Sequence, residues 1–364
     1  MRICDFKRGE FLIMPLSDIT IVILAKDRKS ELLRSLRYWD EIGVSFLVLH
    51  DTDNHLEYIS NNIKSKYFVL RANYGVRCGI AYQKLETKYG ILCADDEVFL
   101  PSALYRMCEM LDKNQDIQSV GGQAIALGKY GPIITATQVY SNMVYYENKY
   151  ESPESRLRYH FNLLHDYKIG GMYRLMRIET LKSILKVFSE IATISTPYIY
   201  EVTGEILVTA IGKSIYIKEV FWIRNWVNEP VVGKKWNRKL YFYRWFESKE
   251  FEFEREAWIS SITKCIRGLN HDINLEFFLP NIVSKRKFVE MHEESKRPVK
   301  FGFINTYFKY WIKRILRHSN LPMESIESIN KIMATGILLH GQEFKNASKV
   351  IVPISPTSIR TIIY

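Results

Sequence analysis

Apolar positions in the first hundred residues follow two alternating rhythms. Ile19-Thr20-Ile21-Val22-Ile23-Leu24 is a short, β-branched run, which reads as a strand buried on both faces. After Ala25-Lys26-Asp27-Arg28 the spacing becomes helical, with Leu32, Leu33, Leu36 and Trp39 on one side and Gly43 as the stop. Phe46-Leu47-Val48-Leu49 predicts a second strand, ending at His50-Asp51-Thr52-Asp53. A helix from about Leu56 to Ile63 and a third strand at Tyr67-Phe68-Val69-Leu70 follow. Asn73-Tyr74-Gly75-Val76-Arg77-Cys78-Gly79 leads into another helix, and the strand Gly90-Ile91-Leu92-Cys93 runs into Ala94-Asp95-Asp96-Glu97. Repeated strand–helix units imply an α/β fold with a mostly parallel sheet flanked by helices. In such sheets the ligand crevice lies outside the carboxyl ends of the strands, where these acids fall.

The pattern is mixed from Gly121 to Arg224. Gly170-Gly171 marks a loop, Thr196-Pro197 starts a helix that Gly212 stops, and Ile215–Ile217 and Val220–Ile223 read as strand. Helical spacing dominates from Gly233. The organisation expected is one unit over residues 1–232 and a helical, basic and aromatic region over 233–364.

Composition narrows the class. Hydrophobic residues make up 47% and charged residues 25% of the chain, too apolar for a disordered protein. The five cysteines are scattered without a C-x-x-C pair or a Cys/His cluster, which argues against a zinc site or a disulfide framework. No apolar run reaches the roughly 18 residues of a membrane span, and no signal-peptide pattern is visible. A cytoplasmic protein is the expectation, with contact at the inner face of a membrane left open. The net charge is +11, and most of the basic excess lies between Gly233 and His318. There Phe303, Ile304, Tyr307, Phe308, Trp311, Ile312, Ile315 and Leu316 recur at helical spacing, opposite Lys309, Lys313, Arg314 and Arg317. Such a helix either lies against lipid headgroups or packs on its own domain.

The chemistry centres on Asp95-Asp96-Glu97. Three consecutive acids repel one another unless something positive sits among them. A magnesium-like cation, held by one or two carboxylates and substrate phosphates, would serve. A turn whose acids cap the following helix is the other reading.

The order of these motifs resembles the family 2 glycosyltransferases of the GT-A fold. Asn73-x-Gly75-x-Arg77-x-Gly79, the strand to Cys93 and the acidic triplet match the donor half. Gly170-Gly171-Met172-Tyr173-Arg174 to Leu181 matches the loop and helix lining the sugar pocket, and Glu201 lies eleven residues before Gly212. The commoner Asp-x-Asp motif would place its first Asp at Cys93, so this chain resembles a variant with consecutive acids. The resemblance implies a nucleotide-sugar donor, Mn2+ or Mg2+ held among Asp95, Asp96 and Glu97, and a glycan or lipid-linked glycan acceptor in surface polysaccharide biosynthesis. It further implies donor contacts from Asp27, Asp51, Asp53, Asn73, Arg77, Asp95, Gly170, Gly171 and Arg224. Asp27, Asp51 and Asp53 read equally well as caps or turn acids, and Arg224 as a surface ion pair.

By position Glu201 is the first choice for the general base that takes the acceptor proton, and Glu205 the second. Such a base contributes about 10²–10⁴-fold. A solvated helix face is the alternative for both. A single base implies inversion, whereas a retaining route would need a second carboxylate such as Glu205 or Asp166. Two other functions compete. A sugar-nucleotide nucleotidyltransferase usually has a glycine-rich loop after the first strand, which Ala25-Lys26-Asp27-Arg28 lacks. A basic nucleic-acid-binding protein fits the net charge, yet no nucleic-acid motif is present and the acids at the sheet edge would repel phosphate.

Overall fold

The computed structural model describes residues 16–53, 58, 60–130, 133–139, 149–162, 171–225, 241–269 and 273–295, with Glu343, Asn346, Ala347 and Val350. Four strands, β1 (Ile19–Ile23), β2 (Ser45–His50), β3 (Lys66–Val69) and β4 (Tyr89–Cys93), form a parallel block in the order β3-β2-β1-β4. The continuous apolar run of β1 is wholly buried, as a strand covered on both faces requires. Ile21 and Ile23 face one helical layer, while Val22 faces the other with Leu47 and Leu49 of β2.

Beyond β4 the sheet changes character. It is mixed rather than mostly parallel. β8 (Leu175–Arg177) is antiparallel to β4, and the long β6 (Ile117–Tyr130) is antiparallel to β8. β9 (Lys213–Asn225) runs parallel to β6, and β5 (Val98–Phe99) lies antiparallel on its outer side. The hairpin strand β7 (Ile133–Val139) pairs with β6. Register shifts at Ile117/Ser119 and around Gln123 mark bulges along the β6–β9 pair. The two short strands expected at 215–217 and 220–223 are parts of β9.

Helices cover both faces. α1 (Lys29–Glu41) and α3 (Pro101–Lys113) share one core with Phe99, Phe221 and Trp222. α2 (Tyr74–Lys84), α5 (Ile178–Glu190) and α6 (Ile199–Ile211) share the other with Phe161 of α4 (Pro153–Asn162). Gly43, at φ +72°, ends the chain's exit from α1 in the left-handed region that favours glycine. Residues 60–65 make turns rather than the end of the helix expected from about Leu56 to Ile63, and Asn62 holds the turn by accepting from the Lys64 amide. α6 begins two residues after the expected Thr196-Pro197 start.

The helical C-terminal region contains α7 (Phe242–Glu247), α8 (Glu252–Gly268) and α9 (Leu279–Ser295). Several of its aromatic residues are interior: Trp245 and Trp258 are fully buried in the same core as α5 and α6, whereas Phe253, Phe277 and Phe288 are exposed. Trp258 Nε1 donates to Thr203 Oγ1 of α6 at 2.8 Å. Glu290 of α9 accepts from the Phe242 and Tyr243 amides at the start of α7. Tyr241, Tyr243 and Trp245 are therefore packing residues. Residues 234–239 and the basic helix expected at 303–317 lie outside the described residues. Among the described residues no helix is long and apolar enough to cross a membrane.

The far C-terminus returns to the first helical layer. Leu100 precedes α3 and offers no side-chain cap. Glu343 supplies one, its Oε2 accepting from Ser102 N at 3.2 Å and from Ser102 Oγ at 2.5 Å. Ala347 is fully buried in that core, and Arg34 Nε donates to the Val350 carbonyl at 3.0 Å.

Candidate active site

The carboxyl ends of β1, β2 and β4 meet at one edge of the sheet, and each is followed by acids. A lone parallel bridge between Lys26 and Asp51 ties the first two ends together, and Lys26 Nζ reaches Asp51 Oδ2 at 3.2 Å. Asp27, between them, is exposed at φ +56° and is the described non-glycine residue with positive φ. Its short polar side chain makes Asp one of the few residue types that tolerates that region. Asp53 is exposed and paired with Arg71.

Arg28 bridges β1 to the acidic triplet. Its Nη1 lies 3.3 Å from Asp95 Oδ1 and 2.5 Å from Asp96 Oδ2, with all three side chains largely shielded. Burial and the neighbouring Asp96 push the Asp95 carboxyl up to about 7, against the opposing pull of Arg28. Both carboxylates thus aim an oxygen at a single point, which a cation already occupies. Two carboxylates that converge in this way could hold a divalent ion together with substrate oxygens. Among the described residues no group of three His, Cys, Asp or Glu gathers at one point, so the remaining ligands would be substrate oxygens or water.

Glu97 is engaged elsewhere. Trp222 Nε1 donates to its Oε2 at 2.8 Å, and Arg224 Nε to its Oε1 at 2.9 Å. The Arg224 guanidinium sits 4.7 Å from the Trp222 ring, and Tyr173 stacks on that ring at 4.5 Å. Burial pushes the Glu97 carboxyl upward, with Arg224 opposing it. Glu97, expected among the metal acids, builds an arginine–aromatic wall beside the pair formed by Asp95 and Asp96.

The Asn-Gly-Arg-Gly segment is accounted for by packing. Asn73 caps α2, accepting from Val76 N at 2.9 Å and donating to the Ala192 carbonyl at 3.1 Å. A Cβ on Gly75 would lie 2.6 Å from Ala192 Cβ and 2.7 Å from the Phe188 carbonyl, so α2 approaches α5 as only glycine permits. Arg77 is buried, and its Nη1 donates to the carbonyls of Ala25 and Leu49 at 2.5 and 3.1 Å. Arg77 therefore braces the ends of β1 and β2 from beneath instead of presenting its guanidinium to a diphosphate. Gly75→Ala is expected to lower stability by about 1–3 kcal/mol through overpacking. Thermal denaturation should show this as a lowered midpoint.

Glu201 and Glu205, four apart on α6, have different surroundings. Glu201 is 44% exposed, with its Oε2 3.7 Å from Arg286 Nη1 of α9. Glu205 is fully buried, with His160 Nε2 at 3.2 Å and Arg174 Nη2 at 4.0 Å, and Arg174 Nε donates to Tyr216 Oη at 2.9 Å. A carboxylate enclosed in that way has no route to an acceptor hydroxyl, and its surroundings explain it as an internal charge partner. Gly171 opens a tight 3-10 turn, Gly171–Tyr173, that carries Tyr173 to Trp222. Gly170 and Asp166 lie outside the described residues.

No protein-family model matches the chain, and no curated protein matches its sequence. Among solved structures the chain is similar to TarS of S. aureus, at 10% identity with a TM-score of 0.42, over 75% of this chain and 55% of that one. It is similar also to residues 1–349 of TarS, at 11% identity with a TM-score of 0.41, over 77% of this chain and 93% of that fragment. The chain thus spans little more than half the length of the longer TarS chain. A likeness of this size leaves the site's own geometry to carry the functional reading.

Arg28 and Trp222 are site residues that the sequence reading does not assign, while Tyr173 enters it only as part of the Gly170–Arg174 loop. A signal for Arg28 existed: three adjacent acids call for a positive group, and the turn after β1 offered one. Trp222 gives no local sign, because the fold of the sheet brings its strand beside the turn that carries Tyr173.

Proposed function

We propose that this chain is a glycosyltransferase that moves a sugar from a nucleotide-sugar donor to a hydroxyl of a glycan or lipid-linked glycan, in the synthesis of a surface polysaccharide. The observation that carries this reading is the convergence of Asp95 and Asp96 on one cationic point at the carboxyl edge of the parallel strands. Acids at that edge are poor partners for a phosphate-bearing donor unless a cation intervenes.

A bound Mn2+ or Mg2+ would supply charge stabilisation for the departing diphosphate. Asp95 and Asp96 are the residues that would hold it, with Glu97 keeping Arg224 and Trp222 in place beside them. Asp27 and Asp51, at the ends of β1 and β2, fall where a nucleoside would lie along the edge. Arg77 fixes that edge through main-chain carbonyls and so sets the distance between the two strand ends. Glu201 is the partly exposed carboxylate of α6 and is assigned the proton of the acceptor hydroxyl. With one such base the reaction is a direct, inverting displacement.

A thermal-shift screen of nucleoside diphosphates with and without Mn2+ tests the proposal. One nucleotide at a hundred times its Kd should add about 2.7 kcal/mol of stability, seen as a rise of several degrees that requires the metal. Stabilisation by no nucleotide would overturn the glycosyltransferase reading. Equal stabilisation without metal would remove the cation from it.

A further inference from the structure

The contact between Arg28 and the two aspartates is an internal cation seated where an external one is expected. We propose that Arg28 is a resident counter-ion of the Asp95–Asp96 pair, and that a divalent ion enters only by displacing its guanidinium. This inference rests on the assignment of Asp95 and Asp96 as the cation-holding carboxylates.

Three observations favour displacement over a permanent brace. The first is convergence on a single nitrogen. Nη1 of Arg28 touches both carboxylates, so a cation and this nitrogen cannot share the point. The second is backbone position. Arg28 stands just ahead of α1, at φ −93° and ψ 65°, directly after Asp27 at φ +56°. Its side chain is thus anchored by a turn and not packed along a helix face. The third is an exit. Lys26 and Asp27 are exposed, and the largely shielded Arg28 side chain keeps 17% of its surface open, so it borders solvent. Glu31, one turn along α1, adds a further carboxylate on that side, paired with Arg34 at 3.8 Å. Arginine remains charged at every working pH, so its competition is not relieved by deprotonation.

The inference makes Arg28 a determinant of metal affinity. Mn2+ alone would bind weakly to the native protein because entry breaks two charge-assisted contacts. The test is titration of the full chain with Mn2+ alone, following free Mn2+ by electron paramagnetic resonance, for the native protein, Arg28→Gln and Arg28→Lys. Arg28→Gln should bind Mn2+ roughly tenfold more tightly or better, because the competing charge is gone and the carboxylates remain. Its melting temperature should also gain more from added Mn2+ than that of the native protein. Arg28→Lys guards against a Gln variant that does not fold. Its ammonium stands one bond nearer the backbone than Arg28 Nη1 and fills the point between the carboxylates less well, so binding tighter than native, though less tight than in Arg28→Gln, is expected. Native-like or weaker Mn2+ affinity in the folded variants would overturn the role of Arg28 and leave the carboxylate site standing. Absence of Mn2+ binding in all three proteins would overturn the carboxylate assignment itself, and this inference with it.

Discussion

Asp96→Ala should abolish metal-dependent nucleotide binding and reduce sugar transfer by on the order of 10²–10³-fold or more, as loss of one electrostatic contact to a developing anion does elsewhere. The same change should leave the unfolding free energy nearly unaltered. It removes the contact with Arg28, which costs stability, and it relieves the repulsion between adjacent carboxylates, which restores some. Loss of binding without loss of stability is the signature of a functional acid, and chemical denaturation beside nucleotide titration would show it. Retention of Mn2+-dependent nucleotide binding in the variant would exclude Asp96 as a ligand.

Glu205→Ala has the opposite profile. Glu205 is enclosed by His160 and Arg174, and its removal takes an opposite charge away from the buried Arg174, whose Nε donates to Tyr216. Breaking such a buried pair by deleting one partner costs about 3–5 kcal/mol. A large fall in the denaturation midpoint is expected, with ordinary nucleotide affinity in the fraction that stays folded. If the variant melts like the native chain and has lost transfer alone, Glu205 is catalytic after all and the buried-pair account fails.

These two acids show where sequence was informative and where it was not. The parallel block was legible because β1, β2 and β4 are short apolar runs separated by helical spacing, and each ends in polar residues. The site's acids followed from that topology, since parallel strands carry their carboxyl ends to one edge. The mixed half of the sheet was illegible for a matching reason. β6, β8 and β9 pair across long sequence separations, and local periodicity holds no record of which strand lies beside which. The resemblance points Asn73 and Arg77 at the donor, with Gly75 in the same motif. Their contacts show that the same types also suit a cap, a close helix approach and a brace. For Glu205 a signal existed. The helix Ile199-Tyr200-Glu201-Val202-Thr203-Gly204-Glu205-Ile206-Leu207 continues apolar on nearly all sides, and a helix of that kind is buried all round. Any acid in its middle had to be an internal one.

The clasp of Glu343 on Ser102 bears on how the molecule is made. The helix that follows the acidic loop acquires its cap from a residue 241 positions downstream. During synthesis the first layer can therefore collapse long before that carboxylate has left the ribosome. Until then, the start of this helix has only solvent or transient partners for its amides. Shortened versions of the chain that stop ahead of Glu343 would keep every acid of the loop and still lack the group that holds the next turn in register.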